Sequence, residues 1–383
     1  MTHCDAILSQ ALKFVSRHEF ESLANRHHAE RSFRTATRWS QFITMAMAQL
    51  SGRISLRDIA GNMSAQAHRL YHLGSAKLTR SNLACMNENK PYSLYEALFG
   101  KLLQQCQHLT PGHRFRFKNT LYSLDASTID LCLSVFPWAD FRTTKETIKL
   151  HVGRNHSGYL PGFTVITEGK TTDIEIGHTL AFPTGCIVAM DRGYIDYEWF
   201  NQLSNKGVYF VTRLKSNACY KVIERHAIPK NKGIISDQAI MFTGNHVVKK
   251  CPIPLRCIVY RDQETNKQYT FLTNHFKLAV RTIADVYKAR WQVELFFKWI
   301  KQNLKIKSFV GTSKNAVMTQ TWIALCVYLL IAFIKFQSKI HISKQQILRL
   351  LQQNLFEKRD LMALLRGDPH IDRYPPDNQP ILF

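Results

Sequence analysis

The hydrophobic pattern of this chain changes period near Pro111 and Gly112, and that switch limits the fold more than any other feature. Between Ile7 and about His108, apolar residues recur every three or four positions, as in Phe42, Met45, Ala46 and Leu50 and again in Leu94, Ala97, Leu98 and Leu102. That spacing predicts helices throughout residues 1–110. Beyond the Pro-Gly pair come short alternating or continuous apolar runs. Strands are expected at 121–131, 149–152, 163–166, 186–190 and 208–212, with helices at 171–179 and near 197–205. Such a chain is neither all-α nor all-β. It joins a helical amino-terminal domain to an α/β domain.

Within the helical part, Ser55 is placed to cap a helix running to about Met63, and Thr79 to cap another over 82–88. The pair reads as a loose helix-turn-helix with a longer link than that motif usually has, and plain helical packing explains it nearly as well. In the α/β part, three strands, a helix, a strand, a helix and a strand follow the order of a ribonuclease H-like sheet. The stretch 215–283 then holds short alternating runs at 220–223, 234–242, 255–260 and 269–272, broken by Pro229, Gly244 and Asn266. It reads as a β-rich insertion, or alternatively as further strands of the central sheet. A buried helix is expected over 317–336. Ser343 and Gln346 form a capping-box pattern for one more helix ending by Gly367, and Pro369, Pro375, Pro376 and Pro380 mark an irregular tail. The domains expected are 1–110, 111–340 and 341–383.

Charge narrows the partners. The 383 residues include 51 Lys plus Arg against 28 Asp plus Glu, a net charge of +23 that no single tail accounts for. A phosphate-rich partner is the natural inference, a merely basic surface the plain alternative. Nine cysteines without a Cys-x-x-Cys pair point to a reducing compartment and away from structural zinc. The first residues lack the apolar core of a secretory signal, and the run 322–334 is too short to span a bilayer. A cytoplasmic protein with no membrane partner is expected.

Three acids sit where a sheet and a later helix would bring them together: Asp125 in the first strand, Asp191 at the end of a short apolar strand, and Glu294 in an amphipathic segment. At about 100° per residue, Tyr287, Arg290, Glu294 and Lys301 fall within roughly 60° of one helix face. Lys298 and Lys305 would extend the stripe, while Val293, Phe296, Phe297, Ile300 and Leu304 make a neighbouring apolar face. Paired hard cations want such carboxylates. A solvated amphipathic helix is the simpler reading of the same pattern. Asp173 and Asp196 compete as partners of the three acids, whereas Asp130, five residues past Asp125, faces the other way on a strand. His151 and His156 suit structural or DNA-proximal roles better than a Mg²⁺ site.

The spacing Tyr287, Arg290, Glu294, Lys301 resembles, without a gap, the Y-R-E-K signature of bacterial insertion-sequence DDE transposases, the insertion-sequence-four family. Leu124–Asp125–Ala126–Ser127 and the run Met190 to Asp196 resemble that family's first and second aspartate motifs, and Ser55 to Ile59 and Tyr71 to Gly74 extend the likeness. The resemblance implies a ribonuclease H-like core with a β-rich insertion before the third acid. It implies Asp125, Asp191 and Glu294 holding two Mg²⁺ ions, with Mn²⁺ able to substitute. It implies Tyr287, Arg290, Lys298, Lys301 and Lys305 on double-stranded DNA, both the terminal inverted repeats and the target, with a homodimer forming on that DNA in the bacterial cytoplasm. Water would free a 3′ hydroxyl at the element's end, and that hydroxyl would attack the target. Relatives flip a base onto an aromatic ring during hairpin formation; 215–283 contains no Trp, which leaves Tyr260, Tyr269 or Phe271 for that role. The alternatives are a catalytically silent DNA-binding descendant and a nuclease without strand transfer.

Overall fold

The computed structural model describes residues 5–27, 36–110, 112–113, 115–131, 146–156, 158, 160–228 and 233–369. Pro111, Pro229, Pro375, Pro376 and Pro380 lie outside the described residues. The chain divides into two compact units, Met1–Leu109 with Asn303–Phe383, and Thr110–Gln302.

The first unit contains α1 (Ile7–Leu12), α2 (Arg17–His27), α3 (Arg38–Ser51), α4 (Leu56–Ala65), α5 (Ala67–Leu70), α6 (Arg80–Asn89) and α7 (Ser93–His108). The Thr79 side chain caps α6 by accepting from Asn82 N, whereas Ser55 stands at the N-cap of α4 without a side-chain bond. The carboxy-terminal helices of this unit are described below, after the sheet.

The second unit is built on β1 (Leu121–Leu131), β2 (Glu146–Asn155), β3 (Leu160–Glu168), α8 (Asp173–Thr179), β4 (Ile187–Met190), α9 (Tyr197–Asn205) and β5 (Tyr209–Arg213). β6 (Tyr220–Arg225), β7 (Ile234–Phe242), α10 (Asn245–Lys250), β8 (Leu255–Arg261) and β9 (Gln268–Thr273) follow, then α11 (Val280–Ala289) and α12 (Trp291–Asn303). The nine strands of the described residues form one sheet, in the order β3-β2-β1-β4-β5-β9-β8-β7-β6. β1 to β3 are antiparallel, while β4 lies parallel to both β1 and β5. This is the ribonuclease H-like arrangement. The β-rich insertion is inserted in sequence but continuous in space, because β9 pairs with β5 and carries β8, β7 and β6 outward.

Alternation of side chains separates two cores on the two faces of the sheet. Leu124, Val188 and Met190 join Trp199 and Phe200 of α9 on one face. Leu121, Ile187 and Ala189 meet Val280, Ile283 and Val286 of α11 on the other. Asp125, in step with Leu121, and Asp191, in step with Ala189, therefore belong to the α11 face.

Back in the first unit, α13 (Lys314–Ser338), α14 (Lys344–Asn354) and α15 (Leu361–Arg366) are the last helices of the described residues. α13 packs on α3, α6 and α7. The boundary expected at residue 340 thus falls at Asn303 by packing. α13 is apolar on every side and buried from Ala316 to Ala332, so it needs cover all round, and the amino-terminal helices supply it. Although α13 has the length and hydropathy of a bilayer span, 94% of its most apolar window is buried inside the protein. The segment expected as one helix up to Gly367 is two, α14 with the Ser343–Gln346 capping box and α15 ending at left-handed Gly367.

Candidate active site

Leu124 pairs with Met190 across the parallel β1–β4 ladder, so the residues that follow, Asp125 and Asp191, stand side by side on adjacent strands. Neighbouring strands lie about 4.8 Å apart. Asp191 has just left β4 and caps a turn of 3₁₀ helix, accepting from Gly193 N at 2.6 Å. Asp125 accepts from Ala126 N at 2.9 Å.

The third acid arrives on α12. The single helix expected across 287–301 is broken at Arg290, where Arg290 N bonds to Tyr287 O at 3.1 Å and Val293 N to Arg290 O at 2.9 Å. These are i to i+3 bonds, which wind the chain more tightly than α-helical ones and shift Tyr287 relative to Glu294. Val293, Phe296, Phe297 and Ile300 are buried and fix the roll of α12. Arg154 of β2 donates to Gln292 O, and Lys301 Nζ donates to Ser127 Oγ and Thr128 O, each at 2.6 Å. The helix is thereby held to β2 at its start and to β1 at its end.

Arg290 joins the acids. One guanidinium nitrogen lies 3.0 Å from Asp125 Oδ2 and another 2.7 Å from Glu294 Oε1, and the side chain is only 12% exposed. Burial works against its charge, but Asp125 and Glu294 hold its pKa above the ordinary value. Asp125 responds the other way. Burial pushes its carboxyl up to about 6, Arg290 and the Ala126 amide pull it down, and Asp191 and Glu294 push it up again. One guanidinium thus stands among three carboxylates. Among the described residues, no three His, Cys, Asp or Glu side chains are grouped closely enough for a ready-made metal cage. The donor set nevertheless fits hard divalent cations, being all carboxylate oxygen with negative charge in excess of its partners.

The neighbouring groups divide by role. Asp173 opens α8, lies 2.6 Å from Lys149 Nζ outside hydrogen-bond alignment, and abuts the Asp191 turn so closely that a Cβ on Gly193 would stand 2.9 Å from its Oδ2. Tyr194 is buried beside these acids, and burial, then Asp173, Asp125 and Asp191, push its phenol far up. The 125–191–294 motif alone does not reveal either neighbour; Asp173 is the one competing acid brought to the Asp191 turn. Asp196 caps α9 through Trp199 N, and Asp130 is exposed on β1. His151 and His156 are buried against Thr167 Oγ1 and Ser123 Oγ, and burial lowers them to about 4 and about 3, which keeps them neutral.

Tyr287 packs 5.2 Å from the Phe271 ring, with Arg290 5.8 Å from its own ring. Lys298 is exposed on α12, whereas α12 ends at Asn303 and leaves Lys305 beyond the helix, so the expected stripe is interrupted. A cavity of about 380 Å³ opens beside Arg290, lined by Tyr260, Tyr269, Phe271 and Tyr287 together with Trp291 and Arg213. Trp291 is 57% exposed. Its indole lies outside 215–283 but lines the same cavity, and its place next to Arg290 in sequence was the available signal.

Residues 116–330 match the transposase DDE domain, and residues 3–76 match the domain of unknown function DUF4372. A protein named as a transposase, y4zB of Sinorhizobium fredii (strain NBRC 101917 / NGR234), is 32% identical over 290 residues, 75% of this chain and 80% of the relative. One named for insertion sequence element IS5377 of Geobacillus stearothermophilus is 29% identical over 251 residues, 65% of each chain. Among solved structures, the piggyBac transposase synaptic complex with hairpin DNA aligns with a TM-score of 0.43 at 11% identity, covering 95% of this chain and 81% of that one.

Proposed function

This chain belongs to the insertion-sequence transposases built on the DDE domain, and on that premise we propose that Asp125, Asp191 and Glu294 are its catalytic acids, cutting the ends of a DNA element and joining them to a target. The observation that carries the assignment is the Arg290 bridge, which ties a carboxylate of β1 to one of α12 beside the strand neighbour Asp191. Asp125 and Asp191, with Glu294 opposite, would hold two Mg²⁺ ions, for which Mn²⁺ can stand in. Bound there, the cations would activate the attacking oxygen and neutralise charge on the leaving one.

The chain's own residues do the rest. Asp125 is held by its pairing with Val152 of β2, one residue past the last β1–β4 pair, and Asp191 by the bond from the Gly193 amide to its carboxylate. Glu294 is set by the buried face of α12. Arg290 keeps a positive charge between two acids, and its Nε is buried without a partner in the protein. Lys298 and Lys301 lie farther along the same helix as phosphate contacts, and Lys305 just past its end. The aromatic cavity beside Arg290 has the ring chemistry to stack an unpaired base, with Trp291 joining Tyr260, Tyr269 and Phe271. The partners on this reading are terminal inverted repeats and target DNA, bound by a homodimer in the bacterial cytoplasm, with helices of residues 1–110 contributing to end binding.

The test compares Glu294→Gln with wild type on a duplex carrying the element's end. Cleavage in Mg²⁺ should vanish while binding stays within a few-fold, since shape is kept and one charge is removed. Cleavage at the wild-type rate would refute the assignment.

A further inference from the structure

The two-cation scheme leaves Asp173 unused, yet its place is exacting. Asp173 is the first residue of α8, and its carboxylate and that of Asp191 both crowd Gly193: a Cβ on that glycine would stand 2.9 Å from Asp173 Oδ2 and 3.8 Å from Asp191 Oδ1. Any side chain at 193 would force one of them to move. The Gly193 amide is also the group that holds Asp191, donating to the same Oδ1 at 2.6 Å. Whatever fixes Gly193 thus fixes the Asp191 carboxylate.

Asp173 is itself anchored from two sides. Thr172 caps α8 by accepting from Glu175 N, and Ile174 of the same turn packs against the core beneath α9. Lys149 Nζ lies 2.6 Å from Asp173 Oδ1 and donates to Thr171 O at 3.4 Å, while buried His151 presents Nδ1 3.7 Å from the same Oδ1. Lys149 sits inside the sheet, paired with Thr128 of β1 and Thr167 of β3. Lys149 and His151 pair with Thr128 and Ala126, positions that alternate with Asp125, so they reach Asp173 from the α9 face. Asp125, bridged to Glu294 by Arg290, belongs to the other face. Asp173 therefore stands behind the Asp191 turn rather than across from Asp125, where a further ligand would be. A half-buried ion pair adds little net stability, and a carboxylate beside another is repelled by it. What the Lys149 pair sets is the position of the Asp173 carboxylate against Gly193.

We propose that Asp173 is a positioning residue for cleavage: tethered by Lys149, it braces Gly193 and so holds the amide that aims the Asp191 carboxylate. The proposal rests on the reading of Asp191 as a metal ligand, and one of its two readouts is independent of metal.

Two quantities are compared in full-length wild type, Asp173→Ala and Lys149→Met. One is backbone hydrogen exchange in EDTA, resolved at Gly193 by fragmentation mass spectrometry; the other is Mn²⁺ affinity, read from the electron paramagnetic resonance of the free ion. Each variant should speed exchange at Gly193 by about fivefold, the effect of freeing one hydrogen bond. Each should weaken Mn²⁺ binding by roughly ten- to a hundredfold, as losses behind a metal ligand do. The double variant should be no worse than the stronger single one, because both residues act through one contact. Glu175→Gln, which removes an exposed acid from the same turn of α8, should change neither quantity. A purely structural pair would lower the melting temperature of the variants and leave both readouts of the folded protein at wild-type values, and that result would overturn the proposal, as would an equal loss in Glu175→Gln. Weaker Mn²⁺ binding with unchanged exchange would overturn it too, since Asp173 would then act on the cation itself. If Asp125→Asn leaves Mn²⁺ binding intact, the metal reading fails, and exchange at Gly193 alone decides whether Asp173 braces the turn.

Discussion

Replacing Asp125 by Asn should stabilise the metal-free protein while abolishing cleavage. The Asp125 carboxyl is pushed from its ordinary 3.8 up to about 6 by burial, net of the pull from Arg290, and its side chain is 16% exposed. At about 1.36 kcal/mol per unit, the ionised form carries an upper-bound penalty of about 3 kcal/mol well above pH 6. Asn keeps the shape, and its oxygen can still accept from Ala126 N, but it carries no charge. Allowing for imperfect replacement, a gain of roughly 1 to 3 kcal/mol is expected, or roughly 3 to 10 °C in the melting of the α/β unit. The sign with pH follows from the folded value lying above the unfolded one. The penalty on wild type is full above about pH 6 and fades as pH falls toward 3.8, so the gap between variant and wild type should narrow in acid. The assay is thermal melting in EDTA at pH 8 and again near pH 5, followed by addition of Mg²⁺ at pH 8. Magnesium should raise the wild-type melting point and leave the variant nearly unmoved, because a ligand stabilises only the state that binds it. An Asn variant that melts at or below wild type at pH 8, or a gap that is the same at pH 5, would refute the reasoning.

Gly193→Ala should impair cleavage more than it destabilises the fold, since its Cβ would press on Asp173 Oδ2 at 2.9 Å and disturb the amide that holds Asp191; full activity with a normal melting curve would remove Gly193 from the account. Lys301→Ala should cost about 1 kcal/mol in urea unfolding through loss of the bonds to Ser127 Oγ and Thr128 O, and unchanged stability would mean that those bonds do not form in solution. Phe200→Ala removes a ring stacked 4.3 Å from Phe210 and should cost about 3 to 5 kcal/mol, measured by the same denaturation. Trp291→Ala should leave stability within about 0.5 kcal/mol, because the side chain is 57% exposed, while slowing any step that stacks an unpaired base; 2-aminopurine fluorescence near the cut would follow that step.

What the sequence disclosed was what depends on neighbours along the chain. Period two in β1 and the apolar run of β4 are local and place Asp125 on a strand and Asp191 at a strand end, while the face they share is fixed by the cores packed on the two sides of the sheet. Period 3.6 likewise placed the buried side of α12. Pairings set by distant residues were not legible in this way. Nothing in 220–273 says that β9 will bond to β5 and draw the insertion into the central sheet, since the deciding partner, β5, satisfies the alternation as well alone as paired. Nor does the apolar run of α13 name the helices that cover it.

Arg290 is the instructive case, because its i, i+4 relation to Glu294 is a local signal for an ion pair as much as for a shared DNA-facing surface. The tertiary contact with Asp125 decides between these readings in the fold itself: the guanidinium sits among the acids, 12% exposed, rather than standing free on a rim. A phosphate or a cation approaching the acids must therefore share or displace that pairing. Removing Arg290 would change both the charge of the acid cluster and any grip on DNA. A salt-slope measurement on Arg290→Ala thus reports two effects at once, whereas exposed Lys298, which has no such entanglement with the acids, reports the phosphate contact alone. If Lys298→Ala lowers the slope by about one and Arg290→Ala lowers it by less, the guanidinium is serving mainly the carboxylates; equal drops would mean that DNA draws it out of the cluster on binding.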